Sequence, residues 1–159
     1  MLGKTAGGLF WMFRFLERAE NTARLVEAGF RIALTRSQDS SREWESVVTT
    51  AGVCDDYLKK HSDFTAASAI DFLLRDKDNA SSVYSVIKSA RDNARLVRTA
   101  LTVEVWTAVN DNWMTMQELL KRPIKETDLP RVLDVIRSQS ALVRGALHGT
   151  MLRNDIYDF

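Results

Sequence analysis

Cysteine, histidine and proline are all scarce in this sequence, and the first two scarcities exclude particular kinds of site. The single cysteine, Cys54, cannot form a disulfide within the chain, and one unpaired thiol is typical of a reducing compartment. The two histidines, His61 and His148, follow Leu58 and Gly145 at the three-residue spacing where a ferritin-like di-metal site requires glutamate. The sequence therefore predicts neither a disulfide-stabilised fold nor this metal centre.

Long apolar runs and an excess of one charge are also missing. No apolar run reaches the roughly 20 residues that a bilayer crossing requires, and the N-terminus lacks the long apolar core of a signal peptide. The 22 basic and 21 acidic side chains leave a formal net charge of +1, whereas nucleic-acid binding generally requires a clear cationic excess. We therefore expect a cytoplasmic protein with no membrane partner and no nucleic-acid partner.

Motifs for nucleotide binding and nucleophilic catalysis are absent as well. The sequence has no complete glycine-rich phosphate loop, no zinc-ligand spacing and no G-x-S-x-G elbow. Gly7 and Gly8 are interpreted as helix-entry glycines, since two glycines alone specify little. The expectation is a protein without a bound metal or cofactor.

Helical periodicity dominates the chain, because no stretch shows the alternation that is typical of a half-buried strand. We therefore predict an all-α fold, a helical bundle of about six helices. The expected helices are roughly Thr5–Leu34, Ser40–Lys60, Thr65–Leu74, Val83–Leu101, Thr102–Leu120 and Asp128–His148, with the start of a further element at Asn154.

Capping signals predict where several of these helices begin and end. Ser40 and Glu43 have the spacing of a capping box at the start of the second helix. Asn79 and Ser81 are good caps for the fourth helix. Gly149 is expected to end the sixth helix, because glycine suits a helix C-terminus.

The fourth helix has the clearest core pattern, with apolar residues at alternating steps of four and three. These residues are Val83, Ile87, Ala90, Ala94, Val97 and Leu101. A weak internal echo links this helix to the first, because residues 19–26 read AENTARLV and residues 90–97 read ARDNARLV. Because the two segments are similar, we predict that the first and fourth helices meet along the faces that carry them. The polar residues of the first helix would then join Arg91 or Arg95 in one network between the two helices.

The first helix carries a polar face that has two interpretations. The residues are Arg14, Glu17, Arg18, Asn21 and Arg24, all at helical spacing. They form either a solvated surface with weak ion pairs or a site in which arginines bind a carboxylate or phosphate. The aromatic residues nearby surround the helix on several sides, which favours a central helix with a covered polar face. They are Phe10, Trp11, Phe13 and Phe15.

Three segments of the chain resemble the bacterial alpha-E domain family, an all-helical family. They read LFWMFRFLERAENTAR, ARDNARLVRTALTVEVW with a following Asn110, and GTMLRNDIYDF. The resemblance extends over the whole chain, and the family is usually about twice this length. It implies that residues 1–159 form a single helical domain, the N-terminal part of a longer architecture. The family's motif falls on Arg14, Glu17, Arg18, Asn21, Arg24, Arg91, Asn93, Arg95 and Glu104.

The resemblance also implies an association with ATP-grasp ligase-like and transglutaminase-like proteins, hence with peptide or amide-bond chemistry. We expect a non-catalytic partner or scaffold for such a system, because nucleophile, metal and nucleotide motifs are missing. The alternative is an enzyme, or half of one, with Glu17 or Glu104 as base and arginines that hold a carboxylate substrate.

A homodimer is the expected assembly, because a symmetric dimer is the commonest way to cover a large apolar surface. The expected interface lies near the first and sixth helices. Its candidate residues are Phe10, Trp11, Phe13, Val132 and Val143.

Overall fold

The computed structural model describes residues 2–36 and 39–153, and within these ranges it contains helices and no strand. The all-α prediction is thereby confirmed. The helices are α1 Leu2–Thr35, α2 Ser41–Thr50, α3 Cys54–Leu58, α4 Ala66–Leu74, α5 Val83–Leu96, α6 Val103–Leu119 and α7 Leu129–Arg153, with a 3-10 turn at Arg98–Ala100 between α5 and α6. The element expected from Asn154 lies outside the described residues.

Four helices form a ring around the main core. The most extensive helix pairings are α1 with α5, α6 with α7, α1 with α7, and α5 with α6. Each pairing is antiparallel: Thr102 at the start of α6, for example, meets Thr150 near the end of α7. The short helices α2, α3 and α4 extend this core beside the C-terminal half of α1, where Gly29 lies against Val47.

The predicted seam of the fourth helix lies in the core. Val83, Ile87, Ala90 and Ala94 are all buried along α5. The helix ends at Leu96, so that the last two seam residues, Val97 and Leu101, lie beyond it.

The second predicted helix is divided by Gly52. Its φ of +73° is the left-handed conformation that glycine adopts without a steric penalty, so α2 ends before it and α3 starts after it. The capping box predicted for Ser40 and Glu43 is wrong, since Ser40 makes no side-chain cap bond. The Glu43 carboxylate instead forms an ion pair with Arg36, 2.9 Å away.

Two other predicted helix boundaries are also wrong. The N-cap of α5 is Ser82, whose hydroxyl accepts a hydrogen bond from the Ser85 backbone N–H. Asn79 and Ser81 belong to the turn before it. Gly149 does not end α7, which continues to Arg153. A glycine inside a helix is less favourable than alanine by only about 1 kcal/mol, which tertiary packing can outweigh.

Val132 and Val143, two residues expected at a dimer interface, are buried inside the bundle and cannot form an outer surface. Phe10 and Trp11, in contrast, are more than half exposed.

Within the described residues, no helix combines the length and the apolar character that a membrane crossing needs.

Candidate functional site: two pockets beside α1

The polar face of α1 lines a groove between α1 and α7, called here the α1–α7 groove, with a volume of about 740 Å³. Four of the predicted site residues, Arg14, Glu17, Asn21 and Arg24, lie along it. Their spacing of three to four residues places them on one side of the helix. The remaining lining residues are Leu9, Phe10, Phe13, Glu20, Arg144 and Leu147.

Glu20 is the acidic residue that connects the two walls of the groove. Only 6% of its side chain is exposed, and it accepts a hydrogen bond from Arg144 of α7. Arg24, one turn further along α1, lies 3.7 Å from the second carboxylate oxygen. A buried carboxylate needs such partners, because an unpaired charge away from water is strongly unfavourable.

Glu20 was not among the residues predicted from the sequence. One signal could have identified it: Glu20 follows Leu16 by four residues and precedes Ala23 by three, so it shares the helical stripe of two apolar residues. The spacing therefore indicates that Glu20 is buried, but it does not indicate the partner on α7.

Among the described residues that line the α1–α7 groove, positive charges outnumber negative charges by one. Its cations are Arg14, Arg24 and Arg144, and its anions are Glu17 and Glu20. Arg14 pairs with Glu17 along the exposed surface of the helix. The groove can therefore accept one further negative charge from a ligand.

Arg18 faces a different cavity, although it directly follows Glu17 in sequence. This cavity, called here the Arg18 pocket, has a volume of about 330 Å³. Consecutive residues of an α-helix point about 100° apart, so Glu17 and Arg18 face different surroundings. The lining residues are Arg18, Asn21, Thr22 and Leu25 of α1, Thr50 and Ala51 around the end of α2, Leu73 of α4, and Ser81 before α5.

The predicted network between α1 and the arginines of α5 is wrong. No hydrogen bond or ion pair within the described residues joins the polar face of α1 to Arg91 or Arg95. Gly8 lies against Val97 while Arg18 bonds Ser81, so the two helices run antiparallel. This register places the two A-x-x-x-A-R-L-V segments at different levels of the bundle, and their like faces do not meet.

The remaining predicted residues lie on α5 and α6, away from the α1–α7 groove. Arg91 donates to Asn110 and lies over the ring of Trp106. Asn93 bonds the Ser89 carbonyl of its own helix, and Arg95 is exposed.

Glu104 lines a separate groove of about 530 Å³ between α6 and α7, and none of the described residues that line this groove is an arginine. The nine predicted residues therefore do not form one site. No group of three or more His, Cys, Asp or Glu residues within the described part of the chain could hold a metal ion.

Comparison with known proteins identifies a single family. The sequence profile described as Alpha-E, a predicted alpha-helical domain with a conserved ER motif, matches residues 1–159. The dipeptide Glu-Arg occurs once in the sequence, as Glu17–Arg18, the two residues that diverge into the α1–α7 groove and the Arg18 pocket. Searches of curated proteins and of solved structures gave no significant match. The fold and the profile agree over the chain, which belongs to the Alpha-E family.

Proposed function

We propose that this protein is a non-catalytic binding module whose α1–α7 groove docks an acidic, partly apolar segment of a partner protein. The observation that carries the proposal is the combination within one groove of a surplus cation and an exposed apolar wall. Partner segments commonly place a carboxylate on an arginine and an apolar side chain in an adjacent depression.

Arg24 is the cation best suited to receive the partner's carboxylate. Its side chain is 64% exposed, and its ion pair with Glu20 spans 3.7 Å. A guanidinium has five N–H donors and binds a carboxylate in a bidentate geometry. Asn21, one turn away from Glu17 in the same groove, adds a neutral amide. A carboxylate at Arg24 would neutralise the surplus charge of the groove.

The aromatic end of the groove supports the docking of an apolar side chain. Phe10 is 57% exposed, and its ring makes an edge-on contact with Trp11 at 5.4 Å between centroids. Phe13 and Leu147 form the wall beside it. Exposed aromatic residues are enriched among the residues that dominate binding energy at protein interfaces.

Binding is favoured over catalysis by the chemistry of the lining residues. None of the described residues that line the groove is serine, threonine, cysteine or histidine. Both carboxylates already pair with arginines, Glu17 with Arg14 and Glu20 with Arg144. A carboxylate that acts as a general base needs an oxygen within reach of a substrate proton, whereas these two carboxylates are engaged with arginines.

We propose an ATP-grasp ligase-like or transglutaminase-like protein as the partner. This assignment follows the resemblance drawn from the sequence, and the groove supplies the chemistry for an acidic segment of such a protein. The protein would then act as a scaffold in a peptide or amide-bond system.

The test is the affinity of the purified chain for an ATP-grasp ligase-like protein from the same source, measured by isothermal titration calorimetry. Arg24→Glu should weaken binding at least about tenfold, since it reverses the charge that receives the carboxylate. Arg31→Glu is the matched control, because Arg31 also pairs with a glutamate four residues before it but lies outside the groove. Equal losses in both variants would contradict docking in the groove.

A second measurement separates binding from catalysis. The chain is incubated with the ligase-like protein, ATP and its amino-acid substrates, and product is followed by mass spectrometry. Under the binding proposal, Glu17→Gln leaves the chemical step unchanged. Turnover that requires this chain and disappears in Glu17→Gln would overturn the proposal in favour of an enzyme.

A further inference from the structure

We propose that the Arg18 pocket is a separate binding site for a small ligand that carries an oxyanion, either a carboxylate or a phosphate. The pocket lies on a neighbouring face of α1, and Arg18 does not line the α1–α7 groove, so this inference does not depend on the proposed partner. Asn21 is the residue that lines both cavities.

Arg18 differs from the other arginines of α1 in its partner. Arg14, Arg24 and Arg31 each form an ion pair with a glutamate of the same helix. Arg18 has no carboxylate within ion-pair distance among the described residues, and its partner is the neutral Ser81 hydroxyl, 2.9 Å away. Among the described residues, therefore, no carboxylate pairs with the positive charge of this guanidinium.

None of the other described residues that line the pocket is acidic and could compete for Arg18. Neutral hydrogen-bonding side chains come from Asn21, Thr22, Thr50 and Ser81. Leu25, Ala51 and Leu73 supply the apolar part. A small number of polar groups within an apolar lining is the usual composition of a small-molecule site.

Ser81 is held in place by the turn that precedes α5. Asn79 is buried, donates to the Phe72 carbonyl and accepts a hydrogen bond from the Ser81 backbone N–H. Asn79 thereby fixes the segment that carries the Ser81 hydroxyl to the end of α4. A ligand that binds between Arg18 and Ser81 meets a preorganised wall, which reduces the entropy lost on binding.

The volume of the pocket limits the size of the ligand. About 330 Å³ lies at the small end of the range that is typical of ligand pockets. A carboxylate or phosphate with a short apolar or polar body fits this space, whereas a folded protein surface does not enter it. The guanidinium fork of Arg18 can bind two oxygens of either anion.

The experiment is a titration of the ¹⁵N-labelled full chain with sodium phosphate and, separately, with N-acetylglycine at constant ionic strength. The backbone amides of Ser81 and Ser82 report on the pocket. Saturable shifts of these amides are expected with at least one probe, and the probe that saturates identifies the class of anion. Absence of a saturable shift with both probes would overturn the proposal.

Variants then test whether Arg18 is the binding group. Arg18→Gln should weaken the affinity for the probe at least tenfold, and Arg18→Lys, which keeps the charge but loses the fork, should be intermediate. Arg14→Gln is the control, because it removes an arginine one turn away that lines the α1–α7 groove instead. Wild-type affinity in Arg18→Gln would contradict the site.

A third variant covers the case in which Arg18→Gln fails to fold. Thr50→Val changes the part of the pocket wall at the end of α2 and keeps Arg18 and its bond to Ser81. It should weaken binding of the same probe several-fold while the circular dichroism spectrum stays unchanged. Unchanged affinity in this variant would place the anion outside the pocket.

Discussion

Glu20 of α1 accepts a hydrogen bond from Arg144 of α7, and the same arrangement recurs one heptad away, where Glu27 accepts from Arg137. Each glutamate also pairs with the arginine four residues later on its own helix. Seven residues are close to two helical turns, so the repeat places both connections along one line of contact. The two antiparallel helices are thereby held in a defined register.

The Glu20–Arg144 pair should contribute measurably to stability. Arg144→Gln leaves a nearly buried carboxylate whose remaining ion-pair partner among the described residues is Arg24. We expect a loss of about 1–2 kcal/mol in the free energy of unfolding, a value limited by the partial exposure of Arg144. Urea unfolding monitored by circular dichroism measures this loss.

Two comparisons test the interpretation of that loss. The double variant Glu20→Gln with Arg144→Gln should be more stable than the sum of the single effects predicts. Arg14→Gln, which breaks an exposed pair, should change stability by less than about 0.5 kcal/mol. Additive single effects would show that the two side chains are not coupled.

The adjacent glycines Gly7 and Gly8 should respond to alanine in opposite directions. A Cβ at Gly8 would lie 2.3 Å from Cγ1 of Val97, whereas a Cβ at Gly7 meets no atom within 4 Å. Gly8→Ala should lower stability by about 1–3 kcal/mol through overpacking. Gly7→Ala should raise it by about 0.5–1 kcal/mol, because alanine is the better helix former.

Thermal unfolding measures both effects. Adding Val97→Ala to Gly8→Ala should recover part of the loss, since it removes the methyl group that the new Cβ meets. Equal melting temperatures of the two glycine variants would mean that α1 and α5 are less closely packed at this point than the structure indicates.

The α5 seam should not tolerate a charge. Ala94 is fully buried, so Ala94→Asp places a carboxylate in the core without a partner and should lower stability by about 3 kcal/mol or more. Leu96→Asp is the control, because Leu96 is 82% exposed two residues further along the helix. A melting temperature unchanged in Ala94→Asp would contradict the register of α5.

The ion pair between Lys60 and Asp76 should make stability depend on pH in the acid range. Burial acts to raise the pKa of Asp76, but hydrogen bonds from Lys60 and from the Asp78 backbone N–H outweigh it, so the pKa lies below its ordinary value of 3.8. A carboxyl group whose pKa is lowered in the folded state stabilises the folded chain at pH values above its ordinary pKa. This contribution is lost as the pH falls through the folded-state pKa.

Asp76→Asn should therefore be less stable than the wild type near neutral pH, and the difference should shrink as the pH falls below 3.8. Urea midpoints across this range provide the measurement. Asp78→Asn is the control, since Asp78 contacts the same lysine from an exposed position and should have a smaller effect. If the stability difference between Asp76→Asn and the wild type stayed constant with pH, the Asp76 carboxylate would not be the source of the pH dependence.

We expect the chain to form a homodimer through Trp11 and Phe15 in the N-terminal part of α1. Trp11 is more than half exposed and contacts Phe15, with 5.8 Å between ring centroids, and neither residue lines the α1–α7 groove. Trp11→Ser should weaken dimerisation by about 2 kcal/mol or more, as is typical of an aromatic residue at the centre of an interface. Multi-angle light scattering over a concentration series measures the dissociation constant.

Ile32→Ser is the matched control, since Ile32 is a half-exposed apolar residue near the other end of α1. It should leave the dimer unaffected. A monomer at every accessible concentration would exclude the dimer.

The sequence by itself determined the helical class, most of the helix ranges and the burial of the α5 seam. Helical periodicity and apolar spacing are local properties, so they do not depend on what the helices pack against. The polar face of α1 could likewise be predicted from the sequence, because residues three and four positions apart must lie on one side of a helix.

Only the tertiary structure decided what each polar residue contacts. Glu17 and Arg18 are adjacent in sequence, yet α7 lies beside one and the α4–α5 turn beside the other. The partner of Glu20 on α7, Arg144, is 124 residues away, and no local pattern encodes that separation. The antiparallel register of α1 and α5 separated the two similar segments that the sequence suggested would meet, because register depends on how residues fit across the interface, as where the Val97 side chain lies against the backbone of Gly8.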